Sequence, residues 1–278
     1  MGLTTKLLPT NLLNMVKRSR PIYSAARRMR FTAGTALGSR FVAGLDSRAH
    51  YNDFMLNSTT LTDVESYRRG AQAFVDILGN SIKAAGRNWD SIGRALEVGC
   101  GYGRIIRELR SQLPSGRIDV CDVIDEGARF TAAEFGVRRV PVIEQVSGHQ
   151  PETYDLIYLL SVYTHLPLSM IEENLAAAAR TLKTGGIIVF TTHGFVSAST
   201  AERYNQYWLD KQTVLNALSQ DGYYYERYPY YYDEYGLTWL STDQTKALVA
   251  RVAPDLKLVR HDAGHLDGHQ DVFVFQKA

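Results

Sequence analysis

Cysteine is almost missing from this chain: its 278 residues hold two, Cys100 and Cys121. That excludes a disulfide framework or a cysteine zinc cluster, and it fits a reducing, cytoplasmic compartment. Long apolar runs are missing too. None approaches the roughly 18 residues of a membrane span, and residues 1–13 lack the compact apolar stretch of a secretory signal. A large excess of one charge is also lacking. Lys and Arg number 31 against 29 Asp and Glu, a net +2, too balanced for a dedicated nucleic-acid binder. No internal repeat is visible. What remains is ordinary globular usage, 45% hydrophobic and 22% charged, enough for one large domain or two small ones.

The near-zero net charge hides an asymmetry. Residues 1–50 carry nine bases (Lys6, Lys17, Arg18, Arg20, Arg27, Arg28, Arg30, Arg40 and Arg48) against Asp46 alone. Leu12, Leu13 and Val16 share a helix face, Pro21 breaks the pattern, and a second basic stretch follows. The chain thus divides into a basic, helical N-terminal extension, 1–50, and a main domain, 51–278. The extension reads as a solvated arm, as a surface for anionic lipid or an acidic partner through residues 1–45, or as a transit peptide. The first keeps the protein cytoplasmic; the second makes it membrane-peripheral.

Thr62 and Glu65 form a capping-box pattern that opens a helix over about 62–85, with Ala71, Phe74, Val75, Leu78 and Ile82 at helical spacing. Strands and helices then alternate. Strands are expected at 94–98, 117–122, 140–143, 154–160 and 185–192, with helices at 102–113, 126–135 and from a second capping box, Ser169 and Glu172, to 182. Alternation of this kind builds a parallel sheet with helices on both faces. Two alternating strands near 257–261 and 271–275 close it as an antiparallel hairpin.

The most informative segment is Ala95-Leu-Glu-Val-Gly-Cys-Gly-Tyr-Gly-Arg104. A strand runs into three glycines that let the backbone turn sharply and a ligand approach closely. In an open α/β sheet, ligands sit at this place, beyond the carboxyl ends of the strands. The dinucleotide spacing Gly-x-Gly-x-x-Gly fails at Arg104 and again at Ile106, and the phosphate-binding lysine is absent. A dehydrogenase is thereby disfavoured. The second strand ends at Asp122, where a carboxylate can accept hydrogen bonds from both hydroxyls of a ribose. Asp125 is the alternative if the strand end is misplaced.

The chain resembles the class I S-adenosylmethionine-dependent methyltransferases from about residue 62 to 277. The resemblance rests on Glu97-Val-Gly-Cys-Gly-Tyr-Gly103, Asp122, Tyr154-Asp-Leu-Ile-Tyr-Leu-Leu160 and Leu182-Lys-Thr-Gly-Gly-Ile-Ile-Val-Phe190. Ser161-Val-Tyr-Thr-His-Leu-Pro167, Phe190-Thr-Thr-His-Gly194 and His269-Gln-Asp-Val272 are similar to a bacterial small-molecule subgroup associated with glycan and natural-product pathways. It implies a doubly wound, Rossmann-like seven-stranded sheet with a C-terminal antiparallel hairpin, and S-adenosylmethionine as cofactor. It further implies that Gly99, Cys100, Gly101 and Gly103 pass under the methionine part and that Glu97 holds the ammonium. Asp122 would hold the ribose, Val123 would pack on adenine, and Ser161 would join the same set. A polar adenine contact after the third strand falls among Glu144, Gln145 and Val146, none a clean match.

Methyl transfer to oxygen needs a base near the tips of strands four and five, and His165 and His193 stand there. Either could instead order its own turn. Tyr163 could line the pocket, and Asp271 could orient His269, though polar groups at a strand start usually bond loop backbone. An insert over 195–240 holds eight tyrosines within 223–235, suited to stacking on a sugar or covering a sheet edge. With Arg227 set against Glu226, Asp233 and Glu234, the stretch repels phosphate, so nucleic acid is not expected. His261, His265 and His269 cross a strand end and a turn, so no metal is expected. The reading is O-methylation of a small hydroxylated acceptor such as a sugar or glycan. N- or C-methylation and a non-catalytic cofactor-binding scaffold are the alternatives. The oligomeric state stays open.

Overall fold

The computed structural model describes residues 19–33, 42–145, 148–200, 209–228 and 234–278. Nine strands form one sheet among these residues. Its parallel part runs β3 (Arg138–Arg139), β2 (Ile118–Cys121), β1 (Ala95–Val98), β4 (Tyr154–Leu159) and β5 (Leu182–His193). β9 (Gln270–Lys277) lies antiparallel against β5, and β8 (Leu256–Leu266) antiparallel against β9. The doubly wound, Rossmann-like sheet with its antiparallel C-terminal hairpin is therefore present.

Two helix layers sandwich the sheet because alternate residues of its buried strands face opposite ways. Leu156, Tyr158, Ile187 and Val189 pack under α2 (Leu61–Ala84), α3 (Arg104–Leu109) and α4 (Asp125–Phe135). Ile157, Leu159, Ile188 and Phe190 pack under α5 (Leu168–Thr181) and α8 (Thr242–Val252). Between β5 and α8, the insert folds as α6 (Phe195–Ser199), α7 (Lys211–Gln220) and the hairpin β6 (Tyr223–Arg227)–β7 (Gly236–Leu240). β5 outruns β4, and in the space above β4 the hairpin joins the sheet where His193 pairs with Trp239.

Several expected boundaries move, each for a local reason. The third strand is Arg138–Arg139 rather than 140–143. Val140 still donates to the Val120 carbonyl, but Pro141 has no N–H to carry the ladder on. The cap of α2 is Thr60, whose hydroxyl accepts the Asp63 N–H, two residues before the expected box. The cap of α5 is Pro167, with no side-chain cap bond, so Ser169 already lies inside the helix. The helix expected over 102–113 is limited to Arg104–Leu109, because residues 101–103 are still turn.

The extension is packed where it is described. α1 (Arg20–Ala33) docks through Arg27, whose guanidinium donates to the carbonyls of Tyr51 at 2.9 Å and Asp53 at 2.6 Å. Phe31, Val42 and Ala49 join Leu56, Val64 and Tyr67 in one buried cluster. Arg107, itself buried, donates to Ser47 and to the Arg48 carbonyl and lies over the Phe135 ring.

At the amino ends of the strands, Asp119 is fully buried and holds Arg94 and Arg138, each through two hydrogen bonds, and the Tyr154 hydroxyl at 3.0 Å. Burial pushes the Asp119 carboxyl up, but the bonds from Arg138, Arg94 and Tyr154 outweigh it and hold it below the usual range. Its stabilisation is therefore complete above the unfolded carboxylate value, about 4, and is lost as pH falls toward the lower folded value. Asp119→Ala should cost about 2–3 kcal/mol, somewhat less than a wholly buried pair because both arginines reach solvent. Urea midpoints at neutral pH and near pH ~3 check this: the gap between wild type and variant should narrow in acid.

Candidate active site

The turn after β1 is tied down from below. The N–H groups of Gly99 and Cys100 both donate to the Cys121 carbonyl, at 2.9 and 3.2 Å. Gly99, Gly101 and Gly103 all have positive φ, which L side chains rarely adopt. A Cβ on Gly103 would strike the Phe135 ring, whereas one on Gly101 would stand in open space. Gly103 is thus required by packing, and the bare backbone at Gly101 is open to a ligand. Asp122 closes the turn. One carboxylate oxygen accepts the Gly101 N–H at 2.6 Å and the other the Ile124 N–H at 2.7 Å. Each oxygen keeps a further lone pair for a hydroxyl. Burial nonetheless raises the Asp122 pKa, with the two N–H bonds opposing. Asp125, the alternative, is exposed and paired with Arg129 and Arg139.

Glu97 is 2% exposed and lies on the sheet face toward α2. Its hydrogen bond comes from the Tyr158 hydroxyl at 3.2 Å, and among the described residues no basic side chain pairs with it. Burial, reinforced by the Asp122 charge, holds its carboxyl well above the ordinary range. The Cys100 thiol is likewise pushed up by burial and by Glu97 and Asp122, so it serves as wall and not as nucleophile. Val123, beside Asp122, is 84% exposed, an apolar side chain at the rim. Ser161 has a left-handed φ of 56°; its N–H donates to Thr191 Oγ1 at 2.9 Å, and its hydroxyl bonds the Gln270 amide. The carboxyl ends of β2, β1 and β4 are neighbours in the sheet, so Asp122, the glycine turn, Glu97 and Ser161 line one edge.

The histidines stand beside that edge. Ring Nδ1 of His165 lies 2.8 Å from the Gly236 carbonyl, and the His165 carbonyl accepts the Gly236 N–H at 3.0 Å. A ring nitrogen facing a carbonyl carries the proton, leaving Nε2 as the acceptor. His165 stacks on Tyr235 at 4.9 Å, with Tyr228 next to it. His193 is 3% exposed, its Nδ1 3.1 Å from the Thr238 carbonyl, between Trp239 and His269. Burial lowers the pKa of both rings. For His193 the neighbouring His269 and His165 lower it further, to well below normal.

Other expected residues fall elsewhere. Tyr163 is fully buried and bonds Asn174, so it belongs to the core and not to a pocket wall. Asp271 accepts the Gly264 N–H at 2.8 Å, the backbone bond expected at a strand start, and faces His261. Glu144 accepts from Asn174, and Gln145 is exposed. Val146 and Tyr230 to Tyr232 lie outside the described residues. Two contributors escaped the sequence reading. Gly127 in α4 must lack a side chain, since a Cβ would sit 2.6 Å from the Gly101 carbonyl that Thr131 also bonds. Gln270, part of the quoted His269-Gln-Asp-Val272 stretch but given no role there, fixes the Ser161 hydroxyl. Both roles show only once the partner across the fold is known.

A Rossmann-like sheet with a glycine turn after its first strand and an acid at the tip of its second defines a nucleoside-binding α/β enzyme. Residues 96–188 match the family of the methyltransferase domain. No curated protein matches the chain in sequence. Among solved structures, the chain is similar to the PH0226 protein of Pyrococcus horikoshii, with 14% identity and a TM-score of 0.54 over 77% of this chain and 92% of that one. It is also similar to an O-methyltransferase family protein of Burkholderia thailandensis, 15% identical with a TM-score of 0.51, covering 78% of this chain and 60% of that one. A S-adenosylmethionine-dependent methyltransferase of Leishmania major shows 18% identity and a TM-score of 0.50, covering 78% and 77%. These likenesses are to the fold. The family match over residues 96–188, with the turn geometry, supports a class I S-adenosylmethionine-dependent methyltransferase.

The residues present fit that cofactor. Among the described residues Glu97 is a buried carboxyl without a cation, the bare Gly101 backbone is open, and Asp122 has acceptor capacity to spare. A cofactor ammonium beside Glu97 would favour its ionised form, so binding should release a proton at pH values below the raised pKa of Glu97. Calorimetry with S-adenosylhomocysteine in two buffers of different ionisation enthalpy should show that release. Glu97→Gln should abolish it and weaken binding by about 1.5–3 kcal/mol, the value of a hydrogen bond to a charged group.

Proposed function

We propose that this enzyme methylates a hydroxyl oxygen of a small, uncharged acceptor such as a sugar or glycan unit, with His165 as general base. The observation that carries this reading is the 2.8 Å contact of His165 Nδ1 with the Gly236 carbonyl. Its Nδ1–H is held by the Gly236 carbonyl, its Nε2 lone pair is left to accept, and the ring follows Ser161 by four residues at the tip of β4. Tyr235, 37% exposed beside it, gives a flat face suited to the C–H surface of a sugar, while the Tyr228 hydroxyl lies 3.3 Å from His165 Nδ1.

In this reading Glu97, the turn from Gly99 through Gly103, Asp122, Val123 and Ser161 hold the cofactor. When bound, S-adenosylmethionine supplies a methyl carbon on a sulfonium, which departs as a neutral thioether. His165 Nε2 would take the proton of the acceptor hydroxyl as that oxygen gains the methyl group. The tyrosine hairpin aligns the acceptor and excludes water, which is most of what a displacement of this kind asks of a protein. His193 orders the β5–β7 junction. Its strongly lowered pKa makes it the weaker base. Residues 51–278 form the catalytic domain, with 195–240 as its acceptor-side insert and 1–50 as an extension.

A calorimetric titration with S-adenosylmethionine, beside Asp122→Ala, comes first: micromolar binding that the variant loses supports the assigned anchor. A screen of sugars and phenols then finds an acceptor. His165→Ala should lower kcat by about 10²–10⁴-fold with the cofactor Kd unchanged. Because the base must be neutral and burial lowers its pKa, turnover should fall only below about pH 6.5. Equal turnover in His165→Ala would leave the reaction without this base and favour transfer to nitrogen or carbon.

A further inference from the structure

α1 turns two apolar sides to its surroundings. Phe31 is buried against the cluster beneath. Opposite it, Ile22, Ala25, Ala26 and Met29 fall on one side of the helix at about 100° per residue, and all four are exposed, Ile22 at 59% and Met29 at 69%. The patch continues past the helix. Tyr23 stacks on Phe54 at 5.9 Å, and Phe54 and Met55 are themselves 44% and 56% exposed. No helix among the described residues is long and apolar enough to cross a membrane.

Charge selects the occupant. The sequence of α1 holds four arginines and no acid, and residues 1–50 hold nine bases against Asp46. A second copy would bring two such segments together and repel. Nucleic acid would meet the arginines but find no use for exposed aliphatic side chains. An outward apolar stripe on a basic helix without acids is the pattern of a helix lying in an anionic lipid interface. We propose that the outer face of α1, together with Phe54 and Met55, docks the enzyme on an anionic membrane surface.

The same segment bears on the methyltransferase site. His50 stacks on Tyr102 at 4.6 Å with the rings 5° from parallel, and Asn52 and Tyr102 both donate to Glu126 of α4. Docking through α1 would therefore hold the glycine turn at a fixed height above the lipid. The lipid-docking proposal itself rests on α1, Phe54 and Met55 and holds whatever acceptor is methylated.

Flotation of the full chain with phosphatidylcholine vesicles, with and without phosphatidylglycerol, tests it. The protein should rise with the anionic vesicles, stay behind with the neutral ones, and be released by salt. Ile22→Asp with Met29→Asp should weaken partition about tenfold or more while the thermal unfolding curve stays unchanged, since both side chains lie outside the core. Equal partition to neutral vesicles, no partition to either, or partition that ignores the double substitution would each overturn the proposal. So would a dimer in sedimentation that the double substitution dissolves, which would assign the face to a second copy.

Discussion

The carboxylate of Asp122 is the constraint on which the upper edge of the sheet depends. It takes the Gly101 N–H on one oxygen and the Ile124 N–H on the other, so the turns after β1 and β2 are closed by the same group. α4 then begins where Ile124 is fixed, and Gly127 and Thr131 of that helix reach back to the Gly101 carbonyl. The loop that meets the ligand is therefore held by its own second strand and not by the ligand. A backbone with three left-handed residues costs conformational freedom to order. Pinning it beforehand means that binding need not supply that ordering.

The two ends of the sheet treat buried acid differently. At the amino ends, Asp119 has two arginines and a tyrosine hydroxyl, and its pKa is depressed. At the carboxyl ends, Glu97 has a single tyrosine hydroxyl, and its pKa is raised. The sheet, the burial and the residue class are the same, so what separates the two acids is that, among the described residues, one has cations beside it and the other has none. An unpaired buried carboxyl is retained at a cost in stability, and the positive end of a bound amino acid is what would relieve it.

Much of this was legible in the sequence because the signals were local. The glycine spacing, Asp122 at a strand tip and the apolar runs of β4 and β5 each depend on a few adjacent residues, and all lie where the pattern puts them. Losses came where a neighbour in space decides. Pro141 stops β3 because the ladder needs an N–H there. Thr60 outcompetes Thr62 as a cap because Asp63 lies three residues on from it. Tyr163 looks like a pocket residue from its place after β4, yet Asn174 of α5 draws it into the core. α7 and α8 have no expected counterpart, since their short apolar stripes lie beside the tyrosine run that dominates the insert.

The histidines show why the chemistry is harder to read than the fold. His165 and His193 are equivalent in sequence, each following a buried strand by a few residues. β7 separates them. It runs across both, giving the Gly236 carbonyl to one ring and the Thr238 carbonyl to the other, so both rings take the same tautomer. Burial then acts unequally. His193 is enclosed by Trp239 and His269, whose proximity disfavours a second charge, whereas His165 stays partly open against Tyr235. Two residues alike in pattern are thus made unlike by one strand whose contacts lie 71 residues beyond His165 and 45 beyond His193, and a proton acceptor needs the openness that only one of them keeps.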